Sequence, residues 1–223
     1  MERTSCAERK IFVSDKWVTK KRGKTVDNQL FYELGDSLYV NVTNRCTNRC
    51  TFCIRDHGNV GGYDLWLQKE PSLEEMCKAM DNIDWKRYRE VVFCGYGEPL
   101  MRLEEVVAMA AEIKKRSALP VRVNTNGHAN AIYGKDITPK LEGIDTLSIS
   151  LNAKDEVQYD EICKPAFEGA FETVKQFARL SKNHVKEVIL SVVDTIISPE
   201  DIEKCQKIAE EIGVPLRVRH YEG

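Results

Sequence analysis

The chain has 223 residues, of which 42% are hydrophobic and 30% charged, and its formal net charge is −2. This composition is ordinary for a globular protein, and the length suits one domain with a sizeable core. The balance of charge gives no reason to expect a nucleic acid or a membrane surface as partner. No apolar run approaches the ~20 residues that span a bilayer, and the N-terminus lacks the apolar stretch of a signal peptide. We therefore expect a cytoplasmic protein.

Residues 1–36 are predicted to form a polar N-terminal extension before the regular part of the chain, which is predicted to be one domain over residues 37–223. Two short strands are predicted in the extension, at residues 10–13 and 29–32. The sequence does not indicate what the extension does.

From residue 37 onward, short β-branched runs alternate with longer amphipathic runs. Strands are predicted at residues 37–43, 90–94, 120–124, 146–151, 187–193 and 216–219, and helices at 73–83, 103–116, 129–141 (broken), 167–181 and 199–212. This alternation is typical of parallel β/α units. A closed barrel of eight units needs ~250 residues. The six units here therefore predict an α/β fold, an open partial (β/α)6 barrel.

Two predicted helices begin at recognisable caps. Ser72 followed by Glu75 is a capping box. Ser198 precedes Pro199, which suits the first helical position because proline lacks an N–H that would have no partner there. Gly213 fits the left-handed residue that ends the last helix.

Three of the eight cysteines form a C-x3-C-x2-C motif just after the first predicted strand of the domain, at Cys46, Cys50 and Cys53. Clustered cysteines in a cytosolic protein indicate a metal site. Iron–sulfur clusters are ordinarily held by four thiolates, so three would leave one iron without a protein ligand. An open coordination position is typical of a catalytic metal site.

A structural zinc site is the alternative for this motif, with His57 or a distant cysteine as fourth ligand. Zinc sites usually combine two halves of paired ligands, and no second half is present. His57 lies four residues after Cys53, so spacing alone leaves this alternative open.

With Phe52 directly before its last cysteine, the motif resembles the signature of the radical S-adenosylmethionine (radical SAM) superfamily. The resemblance implies that Cys46, Cys50 and Cys53 bind a [4Fe–4S] cluster whose open iron is chelated by the methionine moiety of S-adenosylmethionine. An electron from the cluster would then give methionine and a 5′-deoxyadenosyl radical. A flavodoxin or ferredoxin is implied as the electron donor. Phe52 would lie near the adenine, although it could equally be a core aromatic residue.

The segment Gly95-Tyr96-Gly97-Glu98, after the second predicted strand, resembles the Gly-Gly-Glu motif that holds the methionine amino group in this superfamily. Tyr96 departs from the motif at its middle position, which makes contacts from Gly95, Tyr96 and Gly97 less certain than those of the cysteines. Taken alone, this segment would be an ordinary turn.

Polar residues also end the third and fourth predicted strands. The resemblance implies that Asn126, Ser150 and Asn152 contact the ribose and carboxylate of S-adenosylmethionine, although turn or cap roles fit them equally well. On the last strand, Arg217 and Arg219 share one face. They could bind an anionic substrate, but a solvated edge strand is the favoured interpretation.

Residues 44–55 and 61–71 resemble the small radical SAM proteins linked to TatD-family hydrolases, and this similarity extends from about residue 30 onward. It implies a functional link to such a hydrolase but no particular substrate. Only Cys205 follows Cys163, so an auxiliary cluster is not expected. An activase of glycyl-radical enzymes and an iron–sulfur electron-transfer protein remain as alternative functions.

Overall fold

The structure is a computed structural model that describes residues 28–56 and 59–220. Within these residues it contains one sheet with the strands in chain order. The strands are β1 (Phe31–Leu34), β2 (Ser37–Val40), β3 (Glu90–Phe93), β4 (Val121–Thr125), β5 (Thr146–Ser150), β6 (Glu187–Val193) and β7 (Leu216–Arg219). β1 pairs antiparallel with β2, and all later neighbours are parallel. Strands β2 to β7 are the six parallel strands predicted, so the α/β partial barrel is confirmed.

The edge strand β1 lies within the predicted extension, near the strand expected at residues 29–32, and pairs Phe31 with Val40. The strand predicted at residues 10–13 falls outside the described residues. β2 ends at Val40 rather than at residue 43. The main-chain N–H of Asn41 still donates to the Leu30 oxygen at 2.8 Å, and its buried side-chain amide donates to the main-chain oxygens of Gln29 and Leu65.

The helices are α1 (Leu73–Ala79), α2 (Leu103–Arg116), α3 (Ala129–Tyr133), α4 (Glu156–Cys163), α5 (Ala170–Ser181) and α6 (Pro199–Ile212). The predicted caps are confirmed: Ser72 and Glu75 form the capping box, Ser198 caps α6, and Gly213 is left-handed. Within the described residues, none of these helices is both long and apolar enough to cross a membrane.

Three helix predictions differ from the structure. The first helix ends at Ala79 and continues as a 3-10 turn over Met80–Asn82. The broken stretch divides at the left-handed Gly134 into α3 and a 3-10 turn over Thr138–Leu141. α5 begins at Ala170, because the preceding Gly169 is left-handed. Helix α4 was not predicted, and it contributes directly to the candidate site.

The two faces of the sheet differ in character. Alternate residues of each strand, among them Val91, Val123 and Ile149, pack with the helices in the main core. We call the opposite side the inner face. It is polar around Arg122, Asn124, Ser148, Ser191, Arg217 and Arg219, and the register places Asn124 beside Ser148 and Ser191 beside Arg217.

Candidate active site

The cysteine motif lies in the loop that leaves the carboxyl end of β2. Cys46, Cys50 and Cys53 are all half-buried. The main-chain N–H of Asn48 lies 3.4 Å from the Cys46 sulfur, and that of Cys53 donates to the Cys50 carbonyl at 3.2 Å. In β/α barrels the functional site gathers at the carboxyl ends of the strands, and this loop lies there.

Helix α4 holds this loop from one side through main-chain hydrogen bonds. Arg49 N donates to the Cys163 oxygen at 3.0 Å, and Thr51 N donates to the Ile162 oxygen at 2.8 Å. Just beyond the helix, Ala166 N donates to the Thr47 oxygen at 2.8 Å. The end of α4 therefore fixes the backbone between the three cysteines.

Side chains hold the same loop from the β4 side. The fully buried imidazole of His128 lies between two hydroxyls, with Nδ1 2.9 Å from Thr47 Oγ1 and Nε2 2.9 Å from Tyr159 Oη. Tyr159 also accepts a hydrogen bond from Asn48 Nδ2 at 3.1 Å. Burial lowers the pKa of His128 to about 4, so the ring is neutral near pH 7. The sequence analysis missed His128 and Tyr159, and the position of His128 directly after a polar strand end was the signal available.

Glu98 connects the loop after β3 with the end of β4. Its buried carboxylate accepts hydrogen bonds from Leu100 N at 2.9 Å, Thr125 Oγ1 at 2.8 Å and Asn126 N at 2.6 Å. Its own main-chain N–H donates to the Arg45 oxygen, next to Cys46. Burial raises the pKa of the Glu98 carboxyl to about 7, although the three hydrogen bonds oppose this shift.

The two glycines before Glu98 allow this loop to pack against the cysteine loop. A Cβ atom on Gly97 would lie 2.4 Å from the Thr43 oxygen and 2.6 Å from the Arg45 oxygen. A Cβ atom on Gly95 would lie 2.1 Å from Asn41 Oδ1. Neither position has room for a side chain, so the segment brings bare backbone next to the residues that lead into Cys46.

Asn126 reaches the cysteine loop directly. Its Nδ2 donates to Thr47 Oγ1 at 2.8 Å and lies 3.7 Å from the Cys46 sulfur. Asn152 has a left-handed backbone, with φ 58°, and its Nδ2 lies 3.7 Å from the Cys163 sulfur. Its Oδ1 is buried without a hydrogen-bond partner in the described structure. Asn126 therefore contacts the cysteine loop, and Asn152 contacts a fourth thiol, that of Cys163.

The other predicted site residues lie in three different surroundings. Phe52 is half-buried and packs on the main core. Tyr96 packs with Tyr32 and Leu65 in a small second apolar cluster. Ser150, half-buried at the end of β5, pairs in register with Ser191 of β6.

The surroundings of the three thiols of the motif raise their pKa values. Burial, followed by the nearby Glu98 carboxylate, raises the pKa of the Cys46 thiol to about 12. A hydrogen bond with Cys163, and then burial, raises the pKa of Cys50, while burial raises that of Cys53. Over residues 28–56 and 59–220, no three His, Cys, Asp or Glu side chains lie close enough together to hold a metal ion. A metal would therefore have to displace protons from these thiols and draw them together.

Comparisons with known proteins identify the family. The radical SAM superfamily model matches residues 40–212. The chain is 25% identical over 192 residues to a GTP 3′,8-cyclase of Desulforamulus reducens, covering 83% of this chain and 54% of that protein. It is 28% identical over 161 residues to a GTP 3′,8-cyclase of Lactiplantibacillus plantarum, covering 72% of this chain and 46% of that protein. The chain thus spans about half the length of these relatives.

Solved structures show the same fold at low sequence identity. Streptococcus suis SuiB has a TM-score of 0.64 at 15% identity, covering 84% of this chain and 40% of SuiB. TYW1 with a bound lysine–pyruvate adduct has a TM-score of 0.58 at 18% identity, covering 84% of this chain and 65% of TYW1. The chain belongs to the radical SAM superfamily, whose enzymes use a [4Fe–4S] cluster and S-adenosylmethionine.

Proposed function

We propose that this chain is a radical SAM enzyme in which the thiolates of Cys46, Cys50 and Cys53 hold a [4Fe–4S] cluster. When bound, the cluster and S-adenosylmethionine supply a 5′-deoxyadenosyl radical, with methionine as the other product, for hydrogen abstraction from a substrate. The observation that carries the proposal is the location of three thiols on one loop at the carboxyl end of the sheet, beside the Glu98 loop.

The residues present suit such a group. The three donor atoms are sulfurs, which are the ligands that iron–sulfur clusters use. Because there are three of them for four irons, one iron is left without a protein ligand. Cys50 would exchange its hydrogen bond with Cys163 for a bond to iron. The network of Thr47, His128 and Tyr159 would keep the backbone between the ligands fixed while their side chains turn.

Around this centre, the Gly95–Glu98 segment is proposed to receive the amino group of S-adenosylmethionine. Three donors already occupy the Glu98 oxygens, and a carboxylate has about four lone-pair sites, so one acceptor position remains for an ammonium group. Gly95, Tyr96 and Gly97 would take part through their backbone. Asn126, Ser150 and Asn152 are proposed to face the ribose and carboxylate, and Phe52 the adenine.

The partners follow from this chemistry. Radical SAM proteins need an electron donor and a substrate, and we propose a flavodoxin or ferredoxin as the donor. The functional link to a TatD-family hydrolase, the cytoplasmic location and the domain boundary at residue 37 remain predictions from the sequence.

The experiment is anaerobic turnover with S-adenosylmethionine and dithionite after reconstitution with iron and sulfide. We expect the wild type to form 5′-deoxyadenosine and Cys50→Ala to form none. Cys205→Ala, which changes a buried cysteine on α6, is the matched control and should behave as the wild type. Iron loading without 5′-deoxyadenosine would favour an electron-transfer protein, and zinc loading instead of iron would contradict the proposal.

A further inference from the structure

The inner face of the sheet carries three arginines. Arg122 lies on β4, and Arg217 and Arg219 lie on β7. Charged groups that are partly buried are ordinarily paired, so the partners of these three decide what the face can bind.

One of the three is neutralised within the protein. Arg122 donates to both carboxylate oxygens of Glu90, at 3.0 and 2.7 Å, and to Asn124 Oδ1 at 3.1 Å. This paired fork geometry is the strong form of an arginine–carboxylate ion pair. Glu90 also accepts a hydrogen bond from Ser37 Oγ, and its ion pair is with Arg122.

Within the part of the chain that the structure describes, the other two arginines have no such partner. Among residues 28–56 and 59–220, neither Arg217 nor Arg219 forms an ion pair, and the Nε atom of each is buried without a hydrogen-bond acceptor. Arg217 Nη2 donates to Ser148 Oγ at 2.8 Å, which is a neutral contact. Asp194 donates its main-chain N–H to the Arg219 oxygen, and its Oδ2 pairs with His220, whereas its buried Oδ1 forms no hydrogen bond with either guanidinium group or with any other described residue.

The location of this pair is suited to ligand binding. Burial is the main cause that lowers the pKa of both guanidinium groups, and repulsion from Arg122 also lowers it in each; both groups remain charged near pH 7. Both side chains are half-buried, so solvent still reaches them. Arg219 is the last residue of β7, at the carboxyl edge of the sheet, where the cysteine loop also leaves β2.

We propose that Arg217 and Arg219, with the hydroxyl of Ser148, bind an anionic group of the substrate, a carboxylate or a phosphate. The substrate would enter across the inner face and be anchored by this group, which places the rest of it toward the cysteine loop. This inference rests on the proposed function, because it names the substrate class of the same site.

The test is equilibrium dialysis, which measures the binding of radiolabelled inorganic phosphate and of radiolabelled succinate to the reconstituted protein. Binding of S-adenosylmethionine is measured separately. We expect saturable binding of at least one of the two anions. Arg217→Gln and Arg219→Gln should each weaken it about tenfold, the size expected when one charge-assisted hydrogen bond is lost. Arg89→Gln, which changes an exposed arginine paired with Asp36, is the control and should change nothing.

One further variant is expected to bind the anion more tightly, a result that misfolding could not produce. Glu90→Gln removes the carboxylate that neutralises Arg122 and should tighten anion binding several-fold. Binding of phosphate rather than succinate would assign a phosphorylated substrate, and the reverse a carboxylate.

Absence of saturable binding of either anion by the wild type would overturn the inference. So would arginine variants that weaken S-adenosylmethionine binding but not anion binding, because the arginines would then serve the cofactor's carboxylate. Dialysis does not depend on 5′-deoxyadenosine formation, so its failure is distinguishable from failure of the proposed function.

Discussion

The imidazole Nε2 of His128 lies 2.9 Å from the hydroxyl of Tyr159, and both side chains are fully buried beneath the cysteine loop. The pair joins the end of β4 to α4. Because Thr47 and Asn48 hydrogen-bond to its two ends, it fixes the backbone between Cys46 and Cys50.

This arrangement makes stability depend on pH through His128. Its pKa is about 4 in the folded protein and about 6.5 when unfolded, so the unfolded state binds more protons at acid pH. The stabilisation is complete above about pH 6.5 and is lost as the pH falls toward 4. Over this range, the free energy of unfolding measured with urea should therefore fall by up to about 3 kcal/mol more in the wild type than in His128→Gln. Parallel pH profiles for the two proteins would contradict this assignment.

Removing only the Tyr159 hydroxyl separates the contribution of its hydrogen bonds to stability from the contribution of its ring packing. Tyr159→Phe leaves Nε2 of His128 and Nδ2 of Asn48 without this partner, and we expect a loss of about 1–3 kcal/mol in the free energy of unfolding. Iron retention during dialysis against a chelator should fall in parallel, since the loop loses its support. Tyr88→Phe, which removes a hydroxyl bonded to Glu33 at the surface, is the control for the chemical change.

Gly97 should tolerate no side chain. The Cβ of Gly97→Ala would contact main-chain oxygens of Thr43 and Arg45, which cannot move without shifting the cysteine loop. We expect a loss of about 1–3 kcal/mol in stability and poor iron loading. Gly143→Ala, where a Cβ meets nothing within 4 Å, should load iron as the wild type does. Normal loading of Gly97→Ala would show that the loops do not need this close contact.

Cys163 lies next to Cys50 but should not be a ligand. Cys163→Ala removes a buried thiol that contacts Cys50 and Asn152, and it should retain full iron and sulfide content at a modest stability cost of about 1 kcal/mol. Cys50→Ala should lose the cluster. Equal loss of iron from both variants would make Cys163 a fourth ligand and would leave no open iron.

Glu98 should be needed for binding S-adenosylmethionine rather than for retaining the cluster. Glu98→Gln removes the charge that an ammonium group would face and costs the carboxylate at least one of its three internal donors. The Kd for S-adenosylmethionine should rise about tenfold or more with iron content unchanged. Glu104→Gln, at an exposed ion pair with Lys140, is the control. An unchanged Kd in Glu98→Gln would restrict Glu98 to holding the loops together.

The parallel strands and the cysteine motif could be predicted because both are visible as local patterns in the sequence. Six β-branched runs specify the parallel strands, and the three cysteines lie in a single loop. Helix α4 escaped prediction because only Tyr159 and Cys163 along it are buried, which gives a weak apolar periodicity. Its role in holding the loop depends on contacts with residues more than a hundred positions away.

The surroundings of Arg217 and Arg219 could not be predicted for a similar reason. Alternation along β7 shows that they share a face, but only the register with β6 shows that this is the inner face. The prediction of an edge strand is confirmed, since β7 is the last strand of the sheet within the described residues. Its two arginines are partly solvated, with their Nε atoms buried.

The most direct test of the central claim is electron paramagnetic resonance of the reconstituted, dithionite-reduced protein before and after addition of S-adenosylmethionine. We predict a [4Fe–4S] signal that changes shape when S-adenosylmethionine binds, because one iron has no protein ligand, and that is absent from Cys46→Ala, Cys50→Ala and Cys53→Ala. A signal from the wild type that does not respond to S-adenosylmethionine would contradict the account.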